Sequence, residues 1–168
     1  MMKSKIGLKT NEESDENLIS ELEQVLQASE TDMTIFFRLL ADVEKEHVSK
    51  GLKIISDAFY APIEIKDHLK QDWENWFMKY GKRLQKETLS NTARKKAMNV
   101  VNPKYVLRNY MSQLAIDAAN DGDYKLINEL FQLLKKPYDE QPANEKWFAK
   151  RPDWARNKIG CSMLSCSS

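Results

Sequence analysis

Leu69-Lys70-Gln71-Asp72-Trp73-Glu74-Asn75-Trp76-Phe77-Met78-Lys79-Tyr80-Gly81-Lys82-Arg83-Leu84 is the stretch that decides the fold. Leu69, Trp73, Trp76, Phe77, Tyr80 and Leu84 recur at offsets of 0, 4, 7, 8, 11 and 15. That is one face of a helix with 3.6 residues per turn, and it cannot be read as strand alternation. An aromatic stripe can stack bases or a cofactor ring. At helical spacing it more often packs a core, each ring burying ~150–250 Å², and core is the expectation here.

Upstream, Ser14-Asp15 is placed to cap a helix carrying Leu18, Leu22, Val25 and Leu26, and Asp32 a second carrying Met33, Phe36, Phe37, Leu40 and Val43. A third is expected from Val48 to Phe59 with Leu52 and Ile55 inward, before Pro62 punctuates the chain. Downstream, Ser90 caps a fifth helix running to Val100. Asn102-Pro103 starts a sixth with Val106, Leu107, Tyr110, Met111, Leu114 and Ala118 inward, since proline at N1 sacrifices no hydrogen bond. Asn120-Asp121-Gly122-Asp123 turns the chain into a seventh, whose apolar face is Leu126, Ile127, Leu130, Phe131 and Leu134. The expected fold is therefore all-α, a multi-helix bundle of about seven helices over residues 1–136. Residues 137–168 form an extended tail with Pro137, Pro142, Pro152 and the isolated anchors Trp147, Phe148 and Trp154.

Length and composition bound the rest. A chain of 168 residues can bury a real core, and no apolar run approaches the ~18 residues of a membrane helix. The opening Met1-Met2-Lys3-Ser4-Lys5 leads into polar sequence rather than a signal peptide, so a cytoplasmic protein with no membrane partner is expected. Residues 1–48 hold five Lys/Arg against eleven Asp/Glu, whereas Lys79–Arg108 holds nine basic residues against the single acid Glu87. The basic stretch matches the electrostatic footprint of a nucleic-acid binder. An acidic segment in the same chain favours a solvated or internally paired face instead, so nucleic acid is not the expected partner.

No catalytic constellation emerges. The glycines Gly7, Gly51, Gly81, Gly122 and Gly160 are all solitary, so no phosphate-cradling loop exists. Asp117–Gly122 fails as a calcium loop, with Ala119 where an oxygen ligand belongs. His47 and His68 are distant from each other and lack a triad arrangement. Two cysteines, Cys161 and Cys166, are too few for a disulfide scaffold or a zinc site, and sequence cannot supply their thiolate character. No catalytic, cofactor-binding or metal-ligating residue is assigned.

Four separate segments nevertheless carry a resemblance. Met98-Asn99 with Asn102-Pro103-Lys104-Tyr105-Val106-Leu107-Arg108-Asn109-Tyr110, then Pro137-Tyr138-Asp139-Glu140-Gln141-Pro142, then Pro152-Asp153-Trp154-Ala155, and the ending Cys166-Ser167-Ser168 resemble the carboxyl-terminal region of the selenoprotein O (SelO/YdiU) family. Trp76–Leu84, Phe37-Arg38 and Lys5-Ile6-Gly7-Leu8 extend the likeness upstream. The resemblance implies the C-terminal part of a kinase-like fold. It also implies a protein adenylyltransferase that binds ATP with magnesium and transfers AMP to Ser, Thr or Tyr hydroxyls of protein substrates. The family's Gly-rich loop, Lys–Glu pair, catalytic Asp and metal-holding residues precede the matched region, so none carries over. ATP and Mg belong to the full-length family, with no cofactor in this chain, and the partner implied is the missing kinase-like catalytic core in the same or a companion chain. The chain alone is expected neither to bind ATP nor to transfer AMP. Cys166 stands where some family members have selenocysteine, which implies a redox role, with Cys161 or a cysteine elsewhere as its disulfide partner. The alternative class is a free-standing helical module binding protein or nucleic acid.

Overall fold

A computed structural model describes residues 1–62 and 65–158. Eight α-helices occur among them: α1 Met2–Lys5, α2 Asp15–Ala28, α3 Met33–Leu40, α4 Gly51–Ile54, α5 Asp67–Leu84, α6 Asn91–Val101, α7 Asn109–Asn120 and α8 Lys125–Leu134. Extended pairing among the described residues is confined to one bridge between Thr31 and Phe59. The all-α expectation holds. Contacts group the chain into a unit Met1–Asn102 and a second unit that begins at Pro103.

The first unit is built around α5. Trp73, Trp76, Phe77, Tyr80 and Leu84 are all buried, so the stripe is core. The Trp73 ring meets Phe36 at 5.7 Å, Phe59 at 5.6 Å and Trp76 at 6.0 Å, while Trp76 stacks on Tyr80 at 4.8 Å. The polar edges of these rings hold the neighbouring chain: Trp76 Nε1 donates to Leu18 O at 3.0 Å and the Tyr80 hydroxyl to Ile6 O at 2.7 Å. Leu18, Leu22, Val25 and Leu26 of α2 are buried as their spacing requires. Asp32 caps α3 by accepting from the Ile35 amide, and Ser90 caps α6 by accepting from Ala93. Met33, expected inward, is instead partly exposed at the first turn of α3.

The helix expected from Val48 to Phe59 is broken. A 3-10 segment Lys45–Lys50, the short α4 and a 3-10 turn Ser56–Ala58 replace it. The cause is close approach to α5: a Cβ on Gly51 would lie 2.3 Å from the Phe77 ring, and one on Gly81 would lie 3.0 Å from Val48. Two glycines facing each other's neighbours bring the segments nearer than a regular helix with side chains allows.

In the second unit Tyr105, Tyr110, Met111, Ala115, Leu130, Leu133 and Ala155 form the core, with Trp147 and Phe148 packed against it. The helix expected from Pro103 begins six residues later, at Asn109. Asn102 ends α6 instead of capping a new helix, and its side-chain amide donates to Lys5 O at 2.8 Å. The amides of Lys104 and Tyr105 both donate to Pro137 O, at 2.7 and 3.0 Å, and residues 103–107 form no helix. On α8 the burial also differs from expectation: Leu130 and Leu133 point inward, while Ile127 and Phe131 stand exposed. From Pro137 to Lys158 the chain takes 3-10 turns at Pro142–Trp147 and Asp153–Ala155. No described helix is long and apolar enough to cross a membrane.

Candidate functional site

Helical geometry forces Arg83 inward. It lies one turn past Tyr80 and two past Trp76 on the buried face of α5, and only 4% of it is exposed. A buried cation requires compensation. Its Nε donates to Asp15 Oδ1 at 2.6 Å, and Nη1 lies 2.9 Å from Glu87 Oε1, an ion pair off the angle of a directed hydrogen bond. Nη2 donates to Thr10 O at 2.9 Å, and the Thr10 hydroxyl donates to Glu87 at 2.7 Å. Lys3 completes a neutral quartet at 2.7 Å from Asp15. Burial alone pushes the Asp15 carboxyl up, but hydrogen bonds from Arg83 and Lys3 outweigh it and hold Asp15 well below the usual carboxylate range. Glu87 is also held down: burial opposes, and the Thr10 hydroxyl and amide prevail. In the sequence Asp15 is legible as part of a helix cap and Glu87 as the single acid of the basic stretch, but neither is joined there to Arg83. The available signal was Arg83 falling on an aromatic face.

Two further arginines sit inside the first unit. Arg94 of α6 is fully buried, with Nη1 donating to the Tyr80 hydroxyl at 3.2 Å and Nη2 to the carbonyls of Val43 and Ala41 just beyond α3. Burial pushes the Tyr80 hydroxyl up to about 12, against the opposing pull of Arg94. Arg38 of α3 donates to Asn99 O and Asn102 O at the end of α6. The basic stretch is similarly engaged at its surface, where Lys79 meets Glu21, Lys86 meets Glu12 and Lys95 meets Asp42. A solvent-open groove lined by Ser14, Asn17, Glu21, Lys79, Lys82 and Lys86 runs along this surface.

Three of the glycines are packed too tightly to cradle a phosphate. Gly7 packs against Arg94 and Met98, Gly51 against Phe77, and Gly81 against Val48, so the space a phosphate would need is filled by side chains. Among the described residues no group of three or more His, Cys, Asp or Glu could hold a metal ion. His47 pairs with Glu44 at 2.9 Å in the open, and Asp117 is taken by Gln113 and Lys158. Cys161 and Cys166 lie outside the described residues.

The second unit brings two of the quoted segments together. Lys104 is buried, with Nζ at 2.6 Å from Glu140 and 2.7 Å from Glu145 and the Phe148 ring 5.1 Å away. Burial opposes its charge, and the two carboxylates more than offset this, raising its pKa. The Tyr105 hydroxyl donates to Gln141 O at 3.1 Å, and the Gln141 amide donates to Leu133 O and Lys136 O at the end of α8. Lys104 and Tyr105 are thus interlocked with residues 137–142, far away in sequence. A family model described as "Protein adenylyltransferase SelO" matches residues 1–135.

The chain belongs to the SelO family.

Similar proteins agree over its whole length. The "Protein nucleotidyltransferase YdiU" of Flavobacterium johnsoniae is 57% identical over 169 residues, covering 100% of this chain and 32% of that protein. The proteins of the same name from Rhodopirellula baltica and Aromatoleum aromaticum are 44% and 45% identical, again over 100% of this chain, and 33% and 32% of theirs. This SelO-family chain spans about a third of the length of the curated relatives it matches.

Proposed function

We propose that this chain is the carboxyl-terminal helical portion of a SelO-type protein adenylyltransferase, supporting a catalytic core that transfers AMP from ATP to protein hydroxyls. The observation that carries this reading is the match across 100% of the chain to proteins three times as long. The crowding at Gly7, Gly51 and Gly81 adds to it, because none of these three offers a cradle for a triphosphate. ATP and magnesium belong to the portion that precedes this one in the relatives, within a kinase-like fold. What this chain contributes is a packed, charge-locked scaffold. Cys166 is proposed as a redox-sensitive thiol, pairing under oxidation with a cysteine of the catalytic portion or, in its absence, with Cys161.

A chimera tests the reading. The matched third of the Flavobacterium protein is replaced by this chain, and AMP incorporation into protein is followed with magnesium and labelled ATP. The chimera transfers AMP, while the chain alone does neither that nor bind ATP in calorimetry. Transfer by the isolated chain, or an inert chimera, overturns the proposal. For the thiol, mass spectrometry after mild oxidation shows a disulfide at Cys166; two free thiols count against it.

A further inference from the structure

Helix α8 carries more apolar surface than its own unit covers. Leu130 and Leu133 are buried and Leu126 and Leu134 pack beside them, which satisfies one side of the helix. Tyr124, Ile127 and Phe131 follow at spacings of three and four residues, and Leu134 continues the series three further on. That is the spacing of a seam meant to meet a partner. Tyr124 is 60% exposed, Ile127 42% and Phe131 58%. The helix is therefore apolar around about half its circumference and covered over only part of that arc. The Lys135 ammonium stands 4.5 Å over the Phe131 ring and sets a cationic end to the stripe.

Area decides what covers it. Three side chains exposed to this degree offer on the order of 300 Å². A second copy seated on the same stripe would bury about twice that, short of the ~1,000 Å² that a stable dimer needs. A partner joined in the same polypeptide needs far less, since tethering supplies the effective concentration. Two thirds of the relatives' length lies outside this chain, and the SelO match runs through residue 135, so it includes the whole of α8.

We infer that the Tyr124–Ile127–Phe131 face of α8 is a docking surface for the preceding, catalytic portion of a SelO-family protein. The inference rests on the proposed function and names the surface through which support is given. The partner is an apolar patch with an acidic group at the edge that meets Lys135.

The chimera described above provides the experiment, with Ile127→Glu and Phe131→Glu introduced together both there and in the isolated chain. Because both side chains are exposed, the isolated chain keeps its helicity and melting temperature. In the chimera the same pair lowers the melting temperature and reduces AMP transfer by roughly tenfold or more, the scale of losing central interface anchors. A Phe131→Leu chimera, which keeps an apolar contact, retains most activity. An active chimera indifferent to the double substitution overturns this inference and leaves the proposed function standing. An inert unsubstituted chimera sinks both. If light scattering finds the isolated chain dimeric and the double substitution makes it monomeric, the occupant is a second copy and the inference is wrong.

Discussion

Arg38 and Arg94 cap each other's helices. Arg94, on α6, donates to the Ala41 and Val43 carbonyls just beyond α3, and Arg38, on α3, donates to the Asn99 and Asn102 carbonyls that end α6. A helix C-terminus leaves carbonyls without partners and carries the negative end of the macrodipole. A buried guanidinium needs several acceptors at once and some compensating negative potential. Each requirement answers the other, which explains how Arg94 sits fully buried among carbonyls.

Removing Arg94 exposes both debts. Arg94→Ala leaves the α3 carbonyls and the Tyr80 hydroxyl without their donor, at a cost of about 2–4 kcal/mol. Arg94→Lys keeps the charge but has no planar fork to span these acceptors, and recovers less than half of that. Arg38→Ala combined with Arg94→Ala costs less than the sum of the two, because both lock α3 to α6. Urea denaturation of the four variants measures this; strict additivity would show that the caps act independently.

Stability falls in acid through the Asp15–Arg83–Glu87 cluster. Both carboxyls have folded pKa values below their unfolded ones, ~3.9 for Asp and ~4.3 for Glu. Their contribution is complete above the unfolded values and is lost as pH falls through the folded ones. The urea midpoint is therefore flat near neutrality and drops progressively from about pH 5 downward. Asp15→Asn lowers the midpoint at pH 7 and makes the acid slope shallower. An unchanged slope would show that other carboxylates dominate.

Local signals were legible in the sequence, and long-range ones were not. The α5 stripe, the α2 face and the caps at Asp32 and Ser90 each depend on residues a turn or two apart, and the structure has them as read. Asn102-Pro103 carries an equally good local signal, yet no helix starts there. Lys5 O claims the Asn102 side chain and Pro137 O claims the next two amides, and both partners are remote in sequence. The break at Gly51 likewise needs Phe77 to be seen. The interior positions of Arg38 and Arg94 were not legible because their partners are largely backbone carbonyls, which leave no trace in composition. On α8 the periodicity was right, but it reports apolar surface without saying how much of it the unit covers.

Gly51 and Gly122 separate two reasons for glycine. At Gly51 the backbone is ordinary helix and a methyl group would collide with the Phe77 ring. At Gly122 φ is +83° and nothing lies within 4 Å of a Cβ. Gly51→Ala is expected to cost about 2–3 kcal/mol by overpacking the core, and Gly122→Ala about 1 kcal/mol by left-handed strain alone. Pairing Gly51→Ala with Phe77→Leu restores part of the loss, whereas Gly122→Ala is indifferent to Phe77. Thermal unfolding of these variants separates the two mechanisms.

Lys104 ties residues 137–147 to the second unit without contributing much to global stability. Its ammonium is buried, but Glu140 and Glu145 are more than half exposed and can turn to water when it is removed. The amide bonds from Lys104 and Tyr105 to Pro137 O do not depend on that side chain. Lys104→Met is therefore expected to leave the urea midpoint nearly unchanged while easing local opening by about 1 kcal/mol. Trypsin then cleaves at Lys146 and Lys150 about fivefold faster, with the rest of the chain still protected. Equal cleavage rates in the two proteins would mean that the apolar contacts of Trp147 and Phe148 alone hold the segment down, and that the ion pairs are incidental to it.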